Sequence, residues 1–196
     1  GISVKLDLLW WAVAIHFLPS MILVAVAAVL YMRLAEPDDV EPQRRFDSTA
    51  SILAIIAAVA LCFVLITGTM VTGSGPHSGD AGVGMEGRLE MDTEMLAYVH
   101  AACMYIYLAF TLATAFVLRK QKAPQDAMKT VWVLLAMIVV QWAIGVIQFY
   151  LGVPRWTVPA HIIMSGVVVA FTAFLWAHGQ RRLPVLNPKQ YNTTTS

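Results

Sequence analysis

The sequence predicts an all-α integral membrane protein, and two observations support this prediction. Of the 196 residues, 59% are hydrophobic and only 13% are charged, which is about half the charged fraction of an ordinary soluble domain. The apolar residues also form long runs, five of which reach or approach the roughly 20 residues that a helix needs to cross a bilayer. Because lipid offers no hydrogen-bond partners to an exposed backbone, these runs should be helices packed as a bundle.

The five runs are separated by polar connections and define the expected organisation of the chain. They are Leu8–Tyr31, Thr49–Thr72, Met95–Leu118, Val131–Leu151 and Thr157–Ala177. We expect a four-helix bundle over residues 49–178, preceded by one helix within residues 1–32 and a linker over residues 33–48. The polar tail over residues 179–196 should be disordered. The net charge of +1 says nothing about nucleic acid, but the sequence has no basic cluster with interleaved aromatics, so we expect no nucleic-acid partner.

The charges of the connections predict an orientation in the membrane. Basic residues outnumber acids in the connection over residues 119–129 and in the tail, which the positive-inside rule places in the cytoplasm. The acidic connection over residues 73–94 and the turn Gly152–Trp156 should then lie outside, together with the N-terminus. The sequence begins with Gly1 and shows no signal peptide, so we expect at least one earlier membrane segment to be absent. Cys62 and Cys103 lie within apolar runs and are interpreted as packing residues.

Three histidines lie inside the apolar runs, where an ionisable side chain is a functional hypothesis by default. His16, His100 and His161 follow the predicted outer starts of the first, third and fifth helices by about eight, five and four residues, so at about 1.5 Å per residue they should lie near one level. Zinc usually takes three or four ligands, and no carboxylate lies at that depth. Two histidines facing each other across a bundle suit the iron of a six-coordinate haem.

Other interpretations of the histidines remain open at this stage. The three could hydrogen-bond neighbouring helices or line a proton path. His178 is expected at the inner interface, and His77, in the outer connection, could be a solvated turn residue, a propionate contact or a proton carrier. If His100 and His161 form one haem pair, His16 lacks a partner, which the absent N-terminal segment would supply.

Several motifs, taken in order, resemble a known family. They are "GTMVTGSGPHSGD", "LAYVHAACMYIYLAF" and "QWAIGVIQFYLGVPRWTVPAHIIMSG", preceded by the opening "GISVKLDLLWWAVAIHF". Together they resemble the C-terminal half of haem A synthase and the last helix of its N-terminal half, over Gly1 to about Trp176. The resemblance implies an enzyme of the bacterial plasma membrane that oxidises the C8 methyl group of haem O to a formyl group, giving haem A.

The resemblance also implies roles for individual residues. His100 and His161 would ligate the iron of a haem b cofactor, and His16 would ligate the substrate haem of the other half. The first histidine and the essential glutamate of that family belong to the missing N-terminal half, so the fragment should be inactive alone. The implied partners are the lipid bilayer, that half, haem O synthase and the assembly of cytochrome oxidase, with a homo-oligomer left open.

Four polar side chains complete the candidate site. Gln141 and Gln148 share one face of the fourth helix and either pin a haem edge or join helices, and we favour the second. Arg88 and Arg155 are candidates for haem propionates or are solvated loop charges. The glycines of "VTGSGPHSGD" could direct N–H groups at an anion such as a propionate.

Two functions of other classes also fit these features. One is a bis-histidine membrane cytochrome or anchor subunit that exchanges electrons with quinone. The other is a transporter with a histidine proton relay, which would show no haem absorption.

Overall fold

The computed structural model describes residues 5–36, 44–76, 78 and 87–180, and these residues form an all-α membrane protein. Five helices account for most of them, and no strand occurs among the described residues. Each helix is long and apolar enough to span a bilayer. The helices are α1 (Trp10–Leu34), α2 (Ser48–Ser74), α3 (Thr93–Lys120), α4 (Gln125–Tyr150) and α5 (Thr157–Gly179).

Caps and tight turns explain why the chain folds into hairpins. The carboxylates of Asp47 and Asp92 accept the N–H groups of Ala50 and Met95, both at 2.7 Å, and so cap the starts of α2 and α3. At the end of α3, Ala123 N–H bonds to Leu118 O at 2.9 Å in a Schellman motif.

The end of α4 repeats this motif. Val153 N–H bonds to Gln148 O at 2.7 Å, and Gly152 takes the left-handed conformation at φ 68° that the motif requires. A proline follows each motif, at Pro124 and Pro154, so the chain reverses at once into the next helix.

Helices α2 and α3 form one closely packed hairpin and α4 and α5 another, while α1 lies mainly against α5. The alanines of α2 that face the bundle let its neighbours approach closely, as small residues do at helix contacts in membranes. They are Ala50, Ala54, Ala57 and Ala60. Large apolar side chains such as Ile22, Phe63 and Phe116 remain exposed on the outside, where lipid tails would cover them.

A polar cluster joins neighbouring elements at one end of the bundle. This end lies opposite the starts of α3 and α5. Arg45 forms two hydrogen bonds with the carboxylate of Asp126, at 3.1 and 3.2 Å. His178 is buried there, with Nε2 3.0 Å from Thr130 Oγ1 and Nδ1 3.5 Å from Asp126 Oδ2. The sequence places His178 at the inner interface, and the structure shows that it is buried at this end of the bundle and belongs to this network.

At the opposite end, the last turn of α2 packs against the start of α1. A Cβ atom on Gly73 would lie 2.9 Å from the Cβ of Trp10, so only glycine allows this approach. Gly73 O accepts the N–H of Leu89, and Gly75 N–H donates to Thr72 O. The prediction that these glycines present N–H groups to an anion is wrong for Gly75, because the chain uses that N–H itself.

Two further sequence expectations need correction. Helix α4 begins at Gln125 and not near Val131, because its first turns carry polar residues that a hydropathy pattern excludes. Cys62 is exposed on the outside of α2 and Cys103 is partly buried. Cys62 is therefore not a packing residue, since it faces the surroundings of the bundle.

Candidate bis-histidine site

His100 on α3 and His161 on α5 face each other near one end of the bundle. Their ring centres lie 6.5 Å apart, with 60° between the ring planes. His100 lies seven residues into α3 and His161 four residues into α5, so both rings lie within two helical turns of the helix starts. No hydrogen bond joins the two rings among the described residues, so they do not form a direct proton-transfer pair.

The orientation of His100 is fixed by the neighbouring helix α2. Its Nδ1 lies 3.0 Å from Val64 O and 3.2 Å from Thr67 Oγ1. A carbonyl oxygen can only accept, so Nδ1 carries the proton and donates it to Val64 O. The lone pair then resides on Nε2, which is the tautomer that a metal ligand needs.

His161 lacks an equivalent anchor. Its Nδ1 is buried and has no hydrogen-bond partner among the described residues. The side chain of Gln141 on α4 donates from Nε2 to the backbone oxygen of His161 at 3.0 Å. A buried polar atom without a partner costs about 1–3 kcal/mol. The His161 ring is therefore positioned by packing, with no hydrogen bond at Nδ1 from the described residues.

Each histidine ring lies close to a glycine of the neighbouring helix. A Cβ atom on Gly68 of α2 would lie 3.2 Å from Cε1 of His100, and one on Gly145 of α4 would lie 3.3 Å from Cε1 of His161. Both distances are shorter than an ordinary contact, so each ring occupies the space that a side chain would fill. The sequence signal for these positions is a glycine inside an apolar helix, which marks close approach in membranes.

The two rings suit a metal held between them. A metal bound by Nε2 of both rings at about 2 Å would put the ring centres roughly 6 Å apart, and the observed separation is 6.5 Å. No group of three or more metal-ligating side chains occurs in the described part of the chain. A site with only two protein ligands fits haem iron, whose other four ligands come from the porphyrin.

The other predicted site residues lie apart from this pair or outside the described residues. The side chain of His16 is exposed on α1 and makes no hydrogen bond within the described ranges. His77 lies outside the described residues. Arg155 is exposed on the turn before α5. Arg88 donates from Nη2 to Pro76 O at 3.1 Å, while its Nε is buried without a partner among the residues described.

The two glutamines join α4 to α5. Gln148 donates from Nε2 to Thr157 Oγ1 at 3.0 Å, and Gln141 donates to His161 O. Both bonds cross between the same two helices, as expected for residues that join helices, and the Gln141 bond also reaches the backbone of a candidate ligand. Sequence reasoning missed Val64 and Thr67, because their contact with His100 depends on the rotation of α2 against α3.

No family model matches the chain, and neither a curated protein nor a solved structure matches it.

Proposed function

We propose that this chain is the haem b-binding part of a haem A synthase, an oxidoreductase that oxidises the C8 methyl group of haem O to a formyl group. The observation that carries the proposal is the His100–His161 pair, with 6.5 Å between ring centres. The ordered motifs around these histidines provide the link to that family. His16, exposed on α1, is the candidate ligand for the substrate haem.

The chain's own residues perform three tasks at this site. Val64 and Thr67 hold His100 in the tautomer that leaves Nε2 free. Gly68 and Gly145 make room for the rings. The helices around them partly enclose both histidines, which are half-buried. When bound, a haem with two histidine ligands supplies one-electron transfer and offers no open position for oxygen.

The proposal extends to the rim of the site and to its orientation. Arg88 is the stronger candidate for a haem propionate, since its buried Nε has no partner among the described residues and a guanidinium pairs well with a carboxylate. The basic residues gather at the other end, where Arg119 and Lys120 end α3. That end would face the cytoplasm of a bacterial cell, and the histidine pair would lie near the outer face.

The test uses the full-length gene product that contains this chain, expressed in cells that are supplied with haem O. We expect the purified protein to show low-spin haem b and the extracted pigments to include haem A. Haem b without any haem A would contradict the enzyme and favour a cytochrome that exchanges electrons with quinone. The absence of any haem absorption from the protein would overturn haem binding itself and favour a transporter.

A further inference from the structure

Two buried polar atoms near His161 complement each other. Nδ1 of His161 and Oε1 of Gln141 are both buried, and neither has a hydrogen-bond partner among the described residues. The two residues are in contact, because the side chain of Gln141 donates from Nε2 to the backbone oxygen of His161 at 3.0 Å. Two residues that meet between α4 and α5 therefore each carry a buried polar atom without a partner in the described part of the chain.

The chemistry of the contact fixes which atom of Gln141 is which. The backbone oxygen of His161 can only accept a hydrogen bond, so the amide group turned toward it must be the NH₂. The free atom of Gln141 is then an acceptor. His161 Nδ1 carries a proton whenever Nε2 serves as a metal ligand, so the free atom of the histidine is a donor.

We propose that Gln141 is the positioning residue of His161: its Oε1 accepts a hydrogen bond from His161 Nδ1–H, directly or through one bridging water, when Nε2 binds haem iron. This inference rests on the proposed haem site. It gives His161 the counterpart of the bond that His100 makes to Val64 O at 3.0 Å. Histidine ligands of metals almost always donate their other N–H group in this way.

The bond would have two measurable consequences. It holds the ring so that Nε2 points at the iron, which increases haem affinity. It also makes the imidazole a stronger electron donor, which stabilises the oxidised iron and lowers the reduction potential. A residue that only joins two helices would produce neither effect selectively.

The experiment compares Gln141→Leu with Gln148→Leu in the full-length protein. Both variants remove one hydrogen bond between α4 and α5, but only the first removes the acceptor near His161. We expect Gln141→Leu to lower haem affinity about 10- to 100-fold and to raise the reduction potential, while Gln148→Leu changes neither by a comparable amount.

The outcomes separate the two proposals. Equal effects of Gln141→Leu and Gln148→Leu on affinity, with no shift of potential in either, would overturn the positioning role alone. A wild-type protein that binds no haem would overturn the proposed function on which the inference rests.

Discussion

Two hairpins, α2 with α3 and α4 with α5, position their histidines in the same way. In each hairpin one helix carries the ring and the other offers a glycine, with Gly68 beneath His100 and Gly145 beneath His161. They differ in how the ring nitrogen is bonded. His100 Nδ1 is paired with Val64 O, whereas His161 Nδ1 has no partner among the described residues.

This difference shows that such a site has two separate requirements. One is space for the histidine rings, and the other is a hydrogen bond that controls the protonation and donor strength of each ring. The glycines set where the rings lie, and both hairpins meet that need. The hydrogen bond at Nδ1 sets the tautomer and the donor strength of the ring, and only the first hairpin meets that need within the protein as described. Experiments on the two hairpins should therefore agree for the glycines and differ for the polar contacts.

The largest effect is expected from filling either glycine position. Gly68→Val and Gly145→Val each place a branched side chain where the histidine ring lies, since even a Cβ atom would be 3.2 or 3.3 Å from Cε1. Both variants should lose most of their haem, as measured by haem content per purified chain. Gly166→Val is the matched control within α5, because nothing lies within 4 Å of a Cβ atom there. Full haem content in either test variant would contradict the claim that both glycines provide space for the histidine rings.

A smaller effect is expected from the polar contact of the first hairpin. Thr67→Val removes the hydroxyl that lies 3.2 Å from His100 Nδ1. It should lower haem affinity about tenfold. This is the low end of the range for such contacts, because Val64 O remains as an acceptor for Nδ1. The measurement is a haem titration of the detergent-solubilised protein. Thr69→Val is the control, since the Thr69 hydroxyl bonds only to Ile66 O on the same helix. Equal affinities of the two variants would remove Thr67 from the site.

The subtlest effect concerns the protonation of the ring nitrogens before haem binds. In the haem-free protein, His100 should occur as the single tautomer with the proton on Nδ1, because Val64 O accepts that proton. His161, with no such bond, should exchange between tautomers. Nitrogen-15 NMR of histidine-labelled protein distinguishes the two cases, with His100→Ala and His161→Ala assigning the signals. A single fixed tautomer at His161 would contradict the asymmetry between the hairpins.

Much of this architecture follows from the sequence alone. Five apolar runs predict five helices, because burial in lipid demands length and apolar composition whatever the packing. The equal depth of His100 and His161 follows from counting residues along helices. Helix α4 begins before its apolar run, since Asp126 and Lys129 belong to the helix but lie at its polar end.

The contacts between helices could not be predicted in the same way. The contacts of His100 with Gly68, Thr67 and Val64 depend on how α2 is rotated about its axis against α3. The hydropathy of an almost wholly apolar helix is nearly the same on every face, so it does not predict this rotation. The ion pair between Arg45 and Asp126 joins residues 81 positions apart, so their charges suggested an orientation in the membrane and no contact. Local composition determines which segments are helices, whereas side-chain packing determines which residues meet.

One ligand scan tests the central claim most directly. The full-length protein and its His100→Ala, His161→Ala and His178→Ala variants would be purified, and their haem b content and low-spin absorption and EPR signals recorded. We predict that each of the first two substitutions removes the low-spin signal of one haem. His178→Ala should retain it, because His178 lies in the polar cluster with Asp126 and Thr130 at the other end of the bundle. Retention of full low-spin haem b in both His100→Ala and His161→Ala would contradict the account.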